Sequence, residues 1–460
     1  METRVIDVTG VGSELQGVGR LEDGRAVFVP GAIPGERVEI HIEAEKGRFC
    51  EASLIRVEEA SPDRAAPDCP YYGDCGGCQG RHMTYARTLE LKRRVVLDAL
   101  TRIGGLIAPE VRPTLGCADP KRCRNKAEYP IARQDGHVVI GAHARGSRRV
   151  VPLTDCLLQT DKSVEALNWL ARQLDGLPFA DRLKYLVTRV NRAGEGMLIL
   201  CGDAPIADPL RALAPVPACV RSVWYCQLNR RPTHALDGRC TRLRGDATLR
   251  DRLFDLEFEL SPQAFFQVNP PQTEVLYAEA LKAAGVTPNS RLRVLDAYCG
   301  AGTISLAAAR RGAEVTGIEI VPPAIENAKA NARLNGIPNA RFICADAARE
   351  IPRLLGRGQR FDAAILDPPR KGADAALLQA LAQAKIHTLA YVSCNPATLA
   401  RDLKLLSPAY TLQYAQPVDM FPWTGHVETV VCLSNKNAKP KDYVEIGVNA
   451  EDYYRIKDSE

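Results

Sequence analysis

The second half of the chain alternates short apolar runs with stretches of helical periodicity. From about residue 270 onward, Gly312 and Gly336 follow two of the helical stretches, at positions where helices usually end. Such alternation predicts an α/β domain with a doubly wound, mostly parallel sheet. The predicted strands are residues 292–295, 314–320, 341–344, 362–366, 389–392 and 427–433, and the predicted helices are residues 303–311, 324–335, 375–384 and 397–406.

The first part of the chain has a different pattern. Residues 1–58 contain short apolar runs broken by glycine, and residues 37–42 alternate polar and apolar side chains with period two, which predicts a small β-barrel. A polar, proline-containing linker follows at 61–67. We therefore expect a barrel at 1–58, a mixed central domain at 69–265, the α/β domain at 266–434 and a polar tail at 435–460. The central domain has few clear elements: a helix at 85–100 and strands at 138–140 and 197–200.

Length and composition narrow the class of protein. A chain of 460 residues has room for roughly three domains of ~150 residues, and 46% hydrophobic residues are enough for a packed core. No apolar run approaches the ~18 residues that a membrane span needs, and the first residues lack the apolar centre of a signal peptide. We expect a cytoplasmic protein. In that reducing compartment, 15 cysteines indicate metal binding or catalysis rather than disulfides.

Charge is distributed unevenly along the chain. Residues 1–58 hold 7 basic and 11 acidic side chains, whereas residues 79–150 hold 15 basic and 6 acidic ones, a balance of +9. A basic block favours a polyanionic partner such as nucleic acid, although an ordinary solvated surface gives the same pattern. Candidate phosphate contacts in this block lie at residues 121–126 and 145–149.

A glycine-containing loop follows the first predicted strand of the α/β domain. Gly300 and Gly302 allow a ligand to approach the backbone at the carboxyl edge of the sheet. Glu319 ends the second strand, where an acid binds ribose hydroxyls, but Ser305 replaces the third glycine of the dinucleotide fingerprint. A nucleoside without pyrophosphate fits this loop better, and S-adenosylmethionine is such a ligand. Further acids follow the next strands, at Asp346 and Asp367.

Three cysteines with intervening glycines precede the basic block. Cys69, Cys75 and Cys78 form a C-x5-C-x2-C pattern whose thiolates suit zinc or an iron–sulfur cluster. A fourth ligand must come from elsewhere. Cys156 is the candidate, and on spacing alone Cys123, Cys117 and Cys50 are rivals.

Reactive side chains also follow the later strands of the α/β domain. Cys394 stands in Ser-Cys-Asn-Pro, Asp367 opens Asp-Pro-Pro-Arg, and Glu428 lies in His-Val-Glu-Thr. Because the carboxyl ends of parallel strands share one edge, these groups are expected at one site. A thiol, two carboxylates and Arg370 at one edge indicate covalent catalysis by cysteine, and therefore an enzyme.

Together these motifs resemble the RNA (uracil-5-)-methyltransferases. The resemblance covers roughly residues 1–434 and includes Ser-Pro-Gln-Ala-Phe-Phe-Gln-Val-Asn at 261–269. The cysteine pattern and the N-terminal β-domain are similar to the branch that modifies 23S ribosomal RNA, which carries a [4Fe-4S] cluster and a TRAM domain. The bacterial transfer-RNA branch usually lacks both. The implied fold is a class I S-adenosylmethionine-dependent methyltransferase domain preceded by the barrel and a mixed iron–sulfur domain.

The resemblance also implies roles for individual residues. It makes Cys394 the nucleophile that adds to uracil C6 and Glu428 the base that removes the C5 proton. It further implies 5-methyluridine in 23S ribosomal RNA as the product. It implies no protein partner, and we expect a monomer. The S-adenosyl-L-methionine contacts would be Gln267, Tyr298, Glu319, Asp346 and Asp367, and the ligands of the [4Fe-4S] cluster would be Cys69, Cys75, Cys78 and Cys156.

Some features depart from the family pattern or leave alternatives open. Thr303 stands where some members have asparagine, and the N-terminal domain is acidic. Phe265 or Phe266 can stack on a flipped base, or either can pack in the core. The rival functions are transfer-RNA uridine methylation, an iron–sulfur redox or assembly protein, and a catalytically silent RNA-binding module.

Overall fold

The computed structural model describes residues 3–211, 213 and 215–437, so the tail from residue 438 onward lies outside the described residues. The first domain consists of β1 (Thr3–Val11), β2 (Gly17–Arg20), β3 (Ala26–Val29), β4 (Arg37–Glu45) and β5 (Phe49–Glu59). These strands form a closed barrel in the order β1-β2-β3-β5-β4. Alternate side chains face inward, and Val27, Val38 and Ile40 are fully buried. The predicted small barrel is thereby confirmed.

Helix α1 (Tyr85–Arg102) connects the beginning of the chain to its end. The Thr84 side chain caps it by accepting a hydrogen bond from the Arg87 N–H. The fully buried Lys92 forms an ion pair with Asp419, which is also fully buried and lies 327 positions later in the sequence. Further along α1, Val96 and Leu100 belong to the hydrophobic core of the α/β domain. Helix α1 therefore packs with the C-terminal part of the chain.

The central region forms a second, mainly antiparallel sheet. The elements are β6 (Lys126–Gln134), β7 (His137–His143), β8 (Val150–Pro152), α2 (Asp161–Leu174), a 3₁₀ turn (Ala180–Arg182), β9 (Leu183–Val190), β10 (Gly196–Gly202), α3 (Ala207–Leu210), β11 (Val220–Leu228) and β12 (Gly238–Gly245). The strand order is β12-β11-β10-β9-β6-β7-β8, with one parallel pair, β10 and β11, and β12 at an edge. Helix α2 packs on this sheet, where Trp169 and Leu170 are buried.

A hairpin and a helix lead into the α/β domain. They are β13 (Leu249–Leu253), β14 (Leu256–Leu260) and α4 (Pro270–Ala283). The hairpin residues Leu253 and Phe258 belong to the same hydrophobic core as Leu276 of α4 and Val294 of the following sheet. The hairpin therefore packs with the domain that follows it.

The α/β domain contains a seven-stranded sheet with helices between its strands. Its elements are β15 (Arg293–Ala297), α5 (Thr303–Arg310), β16 (Glu314–Glu319), α6 (Pro322–Leu334), β17 (Ala340–Cys344), α7 (Ala347–Gly356), β18 (Ala363–Leu366), α8 (Ala375–Ala384), β19 (Thr388–Ser393), α9 (Pro396–Leu406), β20 (Tyr410–Val418) and β21 (Glu428–Asn435). The strand order is β17-β16-β15-β18-β19-β21-β20. Five strands run parallel, whereas β21 pairs antiparallel with both β19 and β20. The mostly parallel sheet predicted from the sequence is confirmed.

Among the described residues, no helix has the length and apolar character to span a membrane.

Candidate active site

A cavity of roughly 1480 Å³ opens at the carboxyl ends of the parallel strands. This is the edge at which open α/β sheets bind ligands. The side chains that the sequence assigns to catalysis and to the methyl donor all line it: Gln267, Tyr298, Glu319, Asp346, Asp367, Cys394 and Glu428. The loops after β15, β16, β17, β18 and β19 thus contribute to a single site.

Strand register brings Cys394 next to Glu428. Ser393, the last residue of β19, pairs with Thr429 of the antiparallel β21. Cys394 follows Ser393, and Glu428 precedes Thr429, so both lie at the same end of the β19–β21 pair. The antiparallel strand is therefore what carries a carboxylate from the end of the chain to the thiol.

The turn that carries Cys394 is fixed by its neighbour in the sequence. The Asn395 carboxamide oxygen caps α9 by accepting hydrogen bonds from the N–H groups of Ala397 (3.0 Å) and Thr398 (3.4 Å). Its amide nitrogen donates to the carbonyl of Arg370 at 3.4 Å. Pro396 occupies the first turn of α9, where its missing N–H costs nothing. Asn395 thus connects the thiol-bearing turn to the loop that contains Asp367.

Burial keeps both reactive groups protonated in the free protein. It raises the pKa of the Cys394 thiol to about 11, assisted by the negative charges of Glu428 and Asp367 and opposed by Arg370. Burial, with Asp367, also raises the pKa of Glu428 to about 8, and Arg370 opposes this shift too. Arg370 therefore favours the thiolate, as expected from its position, but does not outweigh desolvation.

Asp296 and Asp367 form a pair of carboxyl groups in the same cavity. Burial, followed by repulsion from Asp296, raises the pKa of Asp367 to about 7. Burial raises the pKa of Asp296 to about 6, although this carboxylate accepts a hydrogen bond from Ser305 Oγ at 2.5 Å. The serine that replaces the third glycine of a dinucleotide fingerprint thus hydrogen-bonds the acid at the end of β15.

The loop after β15 contains backbone conformations and close contacts that favour glycine. Gly302 precedes α5 with φ +83°, and a Cβ there would lie 3.1 Å from both Ala328 Cβ and the Phe342 ring. The Gly300 N–H donates to Glu319 at 3.3 Å, and Tyr298 also has a positive φ, of 75°. These contacts hold the loop close to the acid that ends β16.

Sequence reasoning missed Tyr277 of α4, which is buried and lines the cavity. Its hydroxyl lies 3.1 Å from Thr303 Oγ1. Thr303, where some family members have asparagine, therefore has a partner within the protein. An apolar helix pattern gave no signal that one of its tyrosines would face a ligand cavity.

His426 lies beside Arg370 at the same cavity. Its Nε2 is 3.5 Å from an Arg370 guanidinium nitrogen, and its ring packs edge-on against Phe421. Burial, then the positive charge of Arg370, lowers the pKa of His426 to about 4, so the ring is neutral near pH 7. It is another functional candidate to which the sequence assigned no role.

The two phenylalanines of the 261–269 segment have different environments. Phe266 is buried and packs against Phe258 with ring centroids 5.8 Å apart. Phe265 lines the cavity, yet 74% of its surface is exposed. The alternatives left open by the sequence therefore separate, because Phe266 is a core residue and Phe265 is available for stacking.

The four cysteines proposed as ligands are neighbours. Burial raises the pKa of Cys75, and the charges of Cys78, Cys156 and Cys69 raise it further. Backbone and side-chain N–H groups face two of the sulfurs, from Gly77 to Cys75 (3.4 Å) and from Arg81 to Cys78 (3.5 Å).

The rival fourth ligands have other surroundings. Cys50 is fully buried in the core of the barrel. The Cys117 thiol donates to the carbonyl of Asp119 at 2.9 Å and neighbours Cys123.

Within the described part of the chain, no group of three or more histidine, cysteine, aspartate or glutamate side chains is arranged to hold a metal ion.

The basic residues predicted to contact phosphate are largely engaged within the protein. Lys121 pairs with Asp68, Arg122 with Asp155 and Asp161, and Lys126 with Glu128. In the second group, Arg149 pairs with Asp74, and Arg145 donates to the carbonyl of Cys78. The contacts of Lys121, Arg145 and Arg149 hold the cysteine-containing loop around residues 68–78 against its neighbours. Together, these contacts leave less free positive charge for RNA than the sequence suggests.

Comparison with known proteins gives family matches at both ends of the chain. The family model for tRNA (uracil-5-)-methyltransferases matches residues 244–436, and the TRAM domain model matches residues 2–55. An uncharacterized RNA methyltransferase of Halalkalibacterium halodurans is 40% identical over 456 residues, covering 95% of this chain and 97% of that protein. One from Listeria monocytogenes is 38% identical over 448 residues, covering 94% of this chain and 97% of that protein.

A solved structure extends the similarity to the whole fold. The tRNA (uracil-54, C5)-methyltransferase of Pyrococcus abyssi, in complex with S-adenosyl-L-homocysteine, superposes with a TM-score of 0.72 at 27% identity. The match covers 93% of this chain and 99% of that one. The α/β domain therefore has the class I S-adenosylmethionine-dependent methyltransferase fold.

Proposed function

The chain belongs to the RNA methyltransferases that carry a tRNA (uracil-5-)-methyltransferase domain and a TRAM domain, and we propose that it forms 5-methyluridine in 23S ribosomal RNA through Cys394 and Glu428. The observation that carries the chemistry is the strand register that brings this thiol and this carboxylate to one end of the β19–β21 pair. Both groups line the cavity expected to hold the methyl donor.

The reaction needs a nucleophile because C5 of uracil is too weak to take a methyl group directly. The Cys394 thiol loses its proton to solvent, its sulfur bonds to C6, and the electron pair displaced from the C5–C6 double bond makes C5 nucleophilic. S-adenosylmethionine supplies the methyl group to C5, and S-adenosylhomocysteine is the leaving group. The Glu428 carboxylate then takes the C5 proton, the double bond re-forms, and the C6–sulfur bond breaks to release the Cys394 thiolate.

The remaining cavity residues bind and orient. Glu319 ends β16, at the place where a ribose hydroxyl is bound in related folds, and Asp346 and Asp367 follow the neighbouring strands. Tyr298 and Gln267 cover the cavity from the loop after β15 and from the segment before α4. Exposed Phe265 stacks on the target uracil once this base has left its helix.

Cys69, Cys75, Cys78 and Cys156 hold a [4Fe-4S] cluster in this proposal. The donor set fits, because the four thiols are close enough for the charges of Cys78, Cys156 and Cys69 to raise the pKa of Cys75, and N–H groups of Gly77 and Arg81 face two of the sulfurs. In this location the cluster would hold the 69–80 loop against the central sheet.

Transfer RNA is the second candidate substrate. The Pyrococcus abyssi protein acts on tRNA, and its similarity extends over 99% of its length. The overall fold is therefore also compatible with a tRNA substrate.

Mass spectrometry of both RNA pools, with and without the gene for this chain, tests the proposal. Loss of 5-methyluridine from 23S ribosomal RNA is the expected result. Loss from tRNA alone would assign the second substrate, and an unchanged 5-methyluridine content in both pools would refute uridine methylation.

A further inference from the structure

The edge of the central sheet carries a concentration of arginine outside the basic block noted in the sequence. Residues 220–252, from β11 to β13, contain eight arginines, no lysine and three acids. Arg239 and Arg242 lie on the edge strand β12, and Arg230 and Arg231 lie on the loop before it. All four side chains are exposed, and we refer to them together as the arginine ridge.

The ridge differs from the predicted basic block in how its charge is used. Among the described residues, none of the four ridge arginines forms an ion pair with an acidic side chain, whereas most cations at 121–126 are paired. The nearby Asp237 is held within its own loop by Thr233 and Asn229. Unpaired guanidinium groups are the form in which arginine binds phosphate.

A direct contact connects the ridge to the active-site cavity. The Gln263 side-chain nitrogen donates to the carbonyls of Leu236 and Gly238, each at 3.0 Å. Gln263 lines the cavity and stands two positions before the exposed Phe265. The loop that carries Arg230 and Arg231, and the start of β12, are thereby fixed at the cavity mouth beside an aromatic ring.

An exposed aromatic ring beside unpaired positive charge is the arrangement with which proteins bind single-stranded nucleic acid. Arg239 and Arg242 stand three positions apart on β12 and extend from opposite faces of this strand, so their charge follows the sheet edge rather than one face. A uridine that enters the cavity must be unpaired, so the nucleotides flanking it are available as a single strand. We propose that the arginine ridge binds the phosphates of the unpaired RNA flanking the target uridine. This inference rests on the proposed function, and it assigns RNA binding to the sheet edge at β12.

The salt dependence of RNA binding tests the ridge directly. The probe is a fluorescein-labelled oligouridylate, and its affinity is measured by anisotropy over a series of KCl concentrations. The test variant is Arg230→Gln/Arg231→Gln/Arg239→Gln/Arg242→Gln. The control variant removes the same charge from exposed arginines on other surfaces and is Arg172→Gln/Arg291→Gln/Arg333→Gln/Arg357→Gln.

For single strands, removing one bound phosphate makes the plot of log affinity against log salt shallower by ~0.7. We expect the ridge variant to be shallower by about 2 to 3 and at least tenfold weaker at about 0.15 M KCl by that same relation. The control should keep the wild-type slope. A ridge variant with the wild-type slope, or a control that weakens equally, overturns the proposal, as does equal competition by duplex RNA.

Two further measurements keep the outcomes distinct. If the glutamine variant is unfolded by circular dichroism, the corresponding four-lysine variant, which retains the charge, must bind with the wild-type slope. Turnover on the natural RNA reports separately on the proposed function. Wild-type protein that binds oligouridylate through the ridge but forms no 5-methyluridine would refute that function and leave the ridge in place.

Discussion

The protonation of Glu428 makes the pH dependence of catalysis a sharp test of the active site. A base must be ionised to take the C5 proton, and burial raises the pKa of Glu428 to about 8. At pH 7 only about one tenth of this carboxyl is ionised, against about nine tenths at pH 9. Cys394, whose pKa is about 11, is also mostly protonated over this range, and its thiolate fraction rises as well, so methylation should increase at least tenfold between these pH values.

Glu428→Gln removes the base but keeps the size of the side chain. Methylated RNA should then remain bonded to Cys394, because the C5 proton that permits elimination stays in place. The adduct is observed as a protein–RNA band in denaturing gels with labelled S-adenosylmethionine. Glu326→Gln, which changes an exposed carboxylate on α6 that pairs with Lys329, serves as the control and should turn over normally. Normal turnover by Glu428→Gln, or a wild-type rate that does not change from pH 7 to 9, would refute the assignment.

The raised pKa of Glu428 also predicts how the free energy of unfolding depends on pH. A carboxyl whose folded-state pKa is raised from 4.5 to about 8 stabilises the fold below its unfolded pKa, and that contribution is lost as the pH rises through about 8. The glutamine has no charge to bury at any pH. At pH 9, Glu428→Gln should therefore have a larger free energy of unfolding than wild type, by on the order of a few kcal/mol, and should unfold at a higher temperature. Both differences should shrink toward pH 5.

Four further substitutions test other parts of the site. Cys394→Ala should abolish both adduct and product in the same gel assay. Cys344→Ala, which removes an exposed thiol, is the control and should leave both unchanged. Formation of product by Cys394→Ala would exclude Cys394 as the nucleophile. Phe265→Ala should raise KM for RNA about tenfold, as expected for the loss of ~1–3 kcal/mol of base stacking, with little change in thermal stability. Phe266→Ala should instead lower the free energy of unfolding by ~3–5 kcal/mol in urea titrations, and the reverse pattern would exchange the two roles. Cys75→Ser should lower the iron content of anaerobically purified protein and its absorbance of visible light, and an iron content equal to that of Cys344→Ser would remove Cys75 from the ligand set.

Strand and helix patterns predicted the α/β domain well where one physical signal dominates. The helix predicted at 375–384 is the one observed, because Asp374 caps its start and Lys385 adopts a left-handed conformation at its end. In contrast, α4 was not predicted, since it opens with two prolines and is apolar on most sides. Strand β20 was missed because Gln413, Gln416 and Pro417 interrupt its apolar pattern.

The site was predictable wherever a reactive side chain follows a strand. Asp367 and Cys394 follow β18 and β19, and the rule that parallel strands end at one edge brings them together. The contact of Tyr277 with Thr303 depends on packing between separate segments, which no local pattern contains. The phosphate contacts expected at 121–126 illustrate the same limit, because the acids that pair with them come from residues 68, 128, 155 and 161.

The buried Lys92–Asp419 pair has a consequence for synthesis of the chain on the ribosome. Helix α1 emerges early, yet its buried ammonium group can be neutralised only when Asp419 has been made, 327 positions later. Breaking a buried pair costs ~3–5 kcal/mol, so a chain without its last strands leaves this helix unsupported. The methyltransferase domain is therefore assembled from both ends of the gene product, and a fragment that starts after the central sheet would lack an essential part of its own core.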